Sequence, residues 1–393
     1  VLLTERMVQP MDKPTVQDIF HRFYPAYLDQ YSPSPVQAKV AHNIMNCKTG
    51  AYGANVCVCE DCGFVQIHYN SFRNRCCPMC QAVPKEMWMD ARREDVLDAP
   101  YFHLVFTVPD ILNPVIYSNQ RLLYDALYHA ASSTISELTA DPKRLGAKVG
   151  YICILHTWGS EMNFHPHIHT ILLGGGLASN NQWKDNGENF FLPIRVISKV
   201  FRGKYLEELK RLWEEDKLVF HGTAEKFRNH YTFKELLDSC YGMDWIPHCK
   251  KTFNGAQTVM KYLGKYTHRI AVSNHRIVRM DDDTVTFLVK DYRNEGQWKE
   301  LTISGVEFVR RFLMHVPPRR FVRIRHYGLL CFRTKNQKLT LCRNLLGCKK
   351  YLSKLRDMEM PEILEHLYGI KVCVCKACGG HLGKPQMRMP LRC

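Results

Sequence analysis

The chain has 393 residues, 46% hydrophobic and 23% charged, enough for two or three globular domains with one sizeable core. A net charge of +16 and a pI near 9.1 favour a polyanionic partner such as nucleic acid over an acidic small molecule. Seventeen cysteines, several of them in C-x-x-C pairs of a long chain, argue against a secreted disulfide scaffold and for zinc in a reducing cytoplasm, while no run of about 18 apolar residues suggests a membrane span.

Residues 1–54 read as an N-terminal helical segment, in which TVQDIFHRFYPAYLDQY places Val16, Ile19, Phe20, Phe23 and Tyr27 at helical spacing. The start VLLTERMVQP has no basic stretch followed by an apolar one, so no leader is expected there. Residues 55–95 form a compact module, VCVCEDCGFVQIHYNSFRNRCCPMC, too poor in aliphatic side chains to build a core of its own, so metal must supply the missing stability. Cys59-x-x-Cys62, fourteen further residues and Cys77-x-x-Cys80 predict one structural four-thiolate zinc site, with Cys57, His68 and Cys76 as competing ligands.

Strands and helices alternate over residues 96–275. YFHLVFTVP is a strand closed by Pro109, and NQRLLYDALYHAASSTISEL is a helix with Leu122, Leu123, Ala126 and Leu127 on one side. VGYICILHTWG and HPHIHTILLGGGL are strands folded about GSEMNF into a hairpin. ISKVFRGKYLEELKRLWEE is an amphipathic helix with Phe201, Tyr205, Leu209 and Leu212 on its stripe. Residues 221–250 read as irregular, and NGAQTVMKYLGKYTHRI as a helix over about 254–268, with Asn254 as N-cap and Gln257 completing a weak capping box. Residues 276–330 add TVTFLVKDYR and WKELTISGVEFVRRF, which together suggest two strands and a helix. Residues 331–393 form a basic C-terminal region in which Cys375 and Cys378 make one knuckle of a second zinc site; Cys373, His381, Cys393, Cys342 and Cys348 are all open as its partners.

Two constellations carry chemistry. His165, His167 and His169 alternate along a strand and so share one face; folding the hairpin pairs Trp158 with His165 and His156 with His167, adding a third imidazole. A one-residue slip would send His156 to the opposite face. Imidazoles so grouped hold a divalent cation with positions left open for phosphate oxygens. KYLGKYT puts Tyr262 and Tyr266 on one helical face, with Gly264 between them weakening the helix. Taken singly, the histidines read as structural or surface residues and the tyrosines as packing. Together, a metal-polarised phosphate and a phenolic nucleophile make a phosphodiester transesterification site. Lys261 and Lys265 beside the tyrosines, and Arg319, Arg320, Arg323 and Arg325 in the aromatic-interleaved RRFVRIRHY, offer phosphate contacts suited to single strands; a solvated strand face is the plainer reading of that last stretch. No G-x-x-x-x-G-K-[ST] loop occurs, so strand unwinding falls to a partner.

The blocks CGF, HYNS, RNR and CPMCQ, then YFHLVFTVP, NFHPHIHTILLGGGL, FFLPIRVISKVFRGKYL, KYLGKYTHRIAVSNHRI and EFVRRFLMHVPPRRFVRIRHYGLL resemble the two-tyrosine rolling-circle transposases of the insertion-sequence 91 family, within the HUH endonucleases, over about residues 40–350. The resemblance implies an α+β fold: an HUH domain with a central antiparallel sheet flanked by helices, an N-terminal four-cysteine zinc module and a small basic C-terminal region. It further implies His156, His167 and His169 as ligands of Mg²⁺ or Mn²⁺, Zn²⁺ as a structural ion, and Tyr262 and Tyr266 as nucleophiles. The expected partners are single-stranded DNA of mobile-element ends, target DNA and a host helicase. The reaction implied is nicking and rejoining through a 5′-phosphotyrosine, in the bacterial cytoplasm and at the nucleoid when bound to DNA. A replication initiator or relaxase shares that chemistry, and a catalytically inactive zinc-stabilised DNA-binding protein is the reading from another class. Phe72 stands where relatives often carry a further cysteine and Cys76 where a histidine is common, which leaves the zinc ligand set open.

Overall fold

The computed structural model describes residues 13–185, 192–245, 248–253, 264, 271–291 and 294–388. Its strands, numbered along the chain, are β1 (Ala54–Val58), β2 (Val65–Tyr69), β3 (Tyr101–Thr107), β4 (Lys148–Trp158), β5 (Phe164–Leu177), β6 (Trp183–Asp185), β7 (His248–Phe253), β8 (Ile277–Met280), β9 (Thr284–Asp291), β10 (Gln297–Ser304), β11 (Ile324–Gly328) and β12 (Gln386–Arg388). The expected α+β architecture is present. A central antiparallel sheet runs β11-β4-β5-β3-β7, with β6 on β5, and helices flank it.

Period-two alternation divides the sheet into two faces, and both are covered, which is why β4 and β5 are buried at nearly every position. Phe102, Leu104 and Phe106 of β3, Cys153 and Leu155 of β4, and Ile168 and Leu172 of β5 pack under the helices Gln120–Ala140 and Ile194–Glu214. Fully burying such a side chain stabilises the fold by about 1.5–3 kcal/mol. Tyr101, Ile152, Ile154, Ile171 and Leu173 face the other way, against Leu339 and Cys342 of the Lys335–Leu346 helix.

The predicted stripe of the Ile194–Glu214 helix is buried as expected, and so are Leu123, Ala126 and Leu127 of the Gln120–Ala140 helix. Leu122 is instead exposed, because the neighbouring Leu123 takes the inward position. Residues 221–250 are not irregular. They contain a 3-10 turn (Gly222–Arg228), a helix (His230–Gly242) capped by Asn229 and anchored by Phe233, Leu236, Leu237 and Cys240, and then β7. The basic stretch RRFVRIRHYG supplies β11, paired with β4 from Ile324↔Ile154 to Gly328↔Gly150.

A second sheet, β10-β9-β8, includes β8 ahead of the two strands expected there. The Gly305–Met314 helix buries Phe308, Val309, Phe312 and Leu313 in the same core as Val16, Ile19, Phe20, Phe23 and Tyr27 of the Val16–Gln30 helix; the Phe20 and Phe312 rings meet edge to face at 5.2 Å. A third sheet, β12-β1-β2, brings the C-terminal residues back onto the N-terminal module. Among the described residues no helix is long and apolar enough to cross a membrane.

Candidate active site and metal centres

β4 and β5 pair His156 with His167, as the folded hairpin predicts, and β5 pairs His169 with Val105 of β3. Trp158 pairs with Phe164 rather than His165, because a register shift between His156 and Trp158 absorbs one residue near the turn. The shift lies beyond the histidine pair and leaves it intact. His156, His167 and His169 are buried, and their ligand atoms lie within 4.8 Å of one another. His165 stands outside this group, with Nδ1 at 3.2 Å from Asp110 Oδ1.

Neighbouring groups fix how these rings present themselves. His167 Nδ1 donates to the His165 carbonyl at 2.7 Å, which leaves its Nε2 with a lone pair. His169 Nδ1 meets Nε2 of the buried His103 at 2.9 Å; when His169 donates there, its Nε2 too is a lone pair. The two Nε2 atoms face each other at 3.1 Å. Lone pairs so close repel unless a proton or cation lies between them, and His156 completes a three-nitrogen donor set on the same side. That set suits a divalent ion with open positions, more easily Mn²⁺ than Mg²⁺ on softness grounds. His103 was missed in the sequence, although it stands on β3 in phase with the face that carries His169.

Tyr262, Tyr266, Lys261 and Lys265 lie outside the described residues. Gly264, between the tyrosines, is described and buried: a Cβ there would come 2.1 Å from Met89 Sδ and 3.4 Å from Lys85 Cε of the Ala82–Arg93 helix. Its lack of a side chain therefore serves close packing.

The four cysteines expected to share one zinc do not converge. Cys59 and Cys62 face Cys375 and Cys378, whereas Cys77 and Cys80 face Cys47. The two C-x-x-C turns of the N-terminal module are separated because β1 and β2 carry the first toward β12, while the second sinks into the core beneath the Val16–Gln30 helix. Cys57, Cys76 and His68, the competing ligands, join neither group, nor do Cys373 and His381. Cys47, which sequence reasoning passed over, lies with its Sγ 3.2 Å from that of Cys80. Hydrogen bonds from Cys77 and then Cys47 pull the Cys80 thiol down to about 5, while the Cys77 thiol is pushed up. Among the described residues this group has three members. Phe72 sets its ring 5.3 Å from Tyr52 and under Lys39.

The expected DNA-binding arginines separate into two kinds. Arg319 and Arg320 line a cleft of about 500 Å³ together with Lys39, Phe72 and Arg75. Arg323 opens on a small pocket beside Cys76, Trp158 and His315. Arg325 pairs with Asp125 and lies 4.0 Å over the Tyr128 ring, so its charge is already partnered within the fold.

A family model described as "Putative transposase" matches residues 150–338, and one described as "Transposase zinc-binding domain" matches residues 19–108. The chain is 39% identical over 369 residues to the "Putative transposase y4qJ" of Sinorhizobium fredii, covering 93% of each. It is 30% identical over 309 residues to the "Transposase for insertion sequence element IS801" of Pseudomonas savastanoi pv. phaseolicola, covering 77% of this chain and 72% of that one. Among solved structures, a copper-bound conjugative relaxase TrwC in complex with oriT DNA aligns with 65% of this chain and 98% of its own at 12% identity and a TM-score of 0.26, too low to add to the sequence matches. With those matches spanning the paired histidine strands and the N-terminal cysteines, the chain belongs to the insertion-sequence 91 family of transposases.

Proposed function

We propose that this transposase-family chain nicks and rejoins single-stranded DNA at the ends of a mobile element, with Tyr262 and Tyr266 as nucleophiles and His156, His167 and His169 as holders of Mg²⁺ or Mn²⁺. The observation that carries the reading is the pair of Nε2 atoms facing each other at 3.1 Å beside His156, each ring tied through its Nδ1. A bound divalent ion would polarise a phosphate oxygen and offset charge developing in the transition state. The phenolate of one tyrosine attacks phosphorus, the bond to the 3′ oxygen breaks, that oxygen takes a proton, and a 5′-phosphotyrosine remains. Attack by a 3′-hydroxyl reverses the step, so rejoining needs no ATP. With two tyrosines, one holds the donor end while the other acts at a second junction. The cleft lined by Lys39, Arg75, Arg319, Arg320 and Phe72 supports a path for the strand, with cationic groups for phosphates and an exposed ring for stacking. The 30% identity to a named insertion-sequence transposase favours this reading over a replication initiator or relaxase.

The test is incubation of labelled single-stranded DNA carrying an element end with the protein in Mn²⁺ or Mg²⁺, then a denaturing gel and peptide mass analysis. A metal-dependent adduct on Tyr262 or Tyr266, lost in the Tyr262→Phe/Tyr266→Phe double variant and in His167→Ala, is the expected result. Tight DNA binding with no adduct in either metal would leave a zinc-stabilised DNA-binding protein instead.

A further inference from the structure

We propose that Cys59, Cys62, Cys375 and Cys378 form one closed zinc site, built from the two ends of the chain, and that this site folds the C-terminal segment onto the N-terminal module. The zinc-binding match stops at residue 108, so it takes in only half of this ligand set.

Four features carry the inference. The four Sγ atoms lie within 4.8 Å of one another, with Cys59 to Cys378 at 3.5 Å and Cys62 to Cys375 at 3.7 Å. These separations are far from the roughly 2.05 Å of a disulfide and suit four sulfurs around a common ion at about 2.3 Å. The two knuckles are also copies of one another, C-E-D-C-G and C-K-A-C-G. In each, the first cysteine's N–H donates to the carbonyl five residues on (Phe64 at 2.9 Å, Gly380 at 2.8 Å), and its carbonyl accepts from the closing glycine (Gly63 at 3.1 Å, Gly379 at 3.0 Å). Both glycines have positive φ, +69° and +78°, a conformation other residues adopt at a cost.

Backbone amides then point at the sulfurs, Ala377 N to Cys375 Sγ and Gly380 N to Cys378 Sγ, each at 3.4 Å, as donors that stabilise thiolate charge. Finally, the segment has almost nothing else to hold it. Its buried cluster is Cys57, Cys59, Cys375 and Leu382, and beyond this, among the described residues, the two ends are joined by short strand pairing, the backbone bonds Glu60 N to His381 O and Gly383 N to Val58 O, and the exposed contacts of His381 with Asp61 and Glu60. So small a cluster cannot offset the entropy of ordering both segments, and metal ligation supplies what is missing.

The decisive measurement is zinc content per chain for four proteins: wild type, Cys59→Ser/Cys62→Ser, Cys375→Ser/Cys378→Ser, and the quadruple variant. Each double variant is expected to lose one equivalent of zinc and the quadruple variant to lose the same one equivalent, because the pairs share an ion. Cys373→Ser, a control outside the group, should keep wild-type zinc. Limited proteolysis reads the fold independently of activity: the segment beyond about residue 370 should be protected in wild type and cut in both double variants and after chelation, while the central sheet stays intact. Two results would overturn the proposal: either double variant retaining all its zinc, or losses that add in the quadruple variant, which would place the knuckles in separate sites. If Cys59→Ser/Cys62→Ser is insoluble, the single variants Cys62→Ser and Cys378→Ser loaded with Co²⁺ still decide: in a shared centre each removes one thiolate from the same ion and both weaken the same thiolate-to-cobalt absorption, whereas a band that responds to Cys378→Ser and not to Cys62→Ser would overturn the proposal.

Discussion

His103 offers a sharp test of the histidine cluster, because it touches the proposed metal only through another residue. His103 Nε2 lies 2.9 Å from His169 Nδ1 and is buried, so removing it takes away the acceptor that orients His169. When His169 ligates a cation its ring becomes more acidic, and the hydrogen bond to His103 acquires charge-assisted character, a class worth about 1.5–3 kcal/mol. Part of that value is already present without metal, so the loss of metal affinity in His103→Phe should be roughly 10- to 100-fold, or about 1.4–2.7 kcal/mol. The phenyl ring keeps the volume and the apolar contacts, and His103→Gln restores an acceptor and should recover part of the affinity. Mn²⁺ titration, with free ion followed by electron paramagnetic resonance, reads the effect directly, and far-UV circular dichroism checks that the sheet is intact. If Phe and Gln variants both bind Mn²⁺ within about twofold of wild type, His103 is packing alone, and the tautomer reasoning behind the site fails.

Stability should fall on mild acidification through His315. Burial holds its imidazole down to about 4 against an ordinary 6.5, and it is bonded to Thr157 and the Met162 carbonyl. The unfolded chain therefore takes up a proton that the folded one refuses, and between about pH 7.5 and about pH 5 this costs about 2 kcal/mol. Urea midpoints should show that slope in wild type and a shallower one in His315→Leu; equal slopes would reject it. Gly264→Ala should cost about 1–3 kcal/mol by pressing on Met89, measured by thermal melting, and Met89→Ala should relieve it. Additive losses would mean that Gly264 does not pack there. Arg325→Ala should destabilise by about 1–2 kcal/mol while leaving DNA affinity nearly unchanged, because its partners are Asp125 and Tyr128. Arg319→Ala and Arg320→Ala should each instead lower the salt slope of single-strand binding by about 0.7. A weakened slope in Arg325→Ala alone would reverse that assignment.

What could be read from the sequence divides along a physical line. The hairpin was legible because alternation and a short polar loop determine which residues oppose one another, so His156 met His167 without any knowledge of the tertiary fold. The displaced Trp158 partner was not, since a bulge beside a turn is set by local backbone geometry that apolar patterning does not record. The His230–Gly242 helix carried its stripe in plain view, Phe233, Leu236, Leu237 and Cys240, but polar neighbours on every other face concealed it.

The cysteines expose a deeper difficulty. All the C-x-x-C pairs offer the same chemistry, and pairing the nearest two treats separation along the chain as separation in space, a rule that fails once a strand from residue 386 returns to residue 56. One discriminating signal was present. Cys62 and Cys378 are each followed by a glycine, whereas Cys80 is followed by Gln81, so the two matching knuckles differ from the third in the one residue that sets their backbone turn. Ligand partners thus follow from the conformation that delivers the sulfurs more than from their spacing, and Cys47, delivered by the end of a helix rather than by a knuckle, carried no local mark at all.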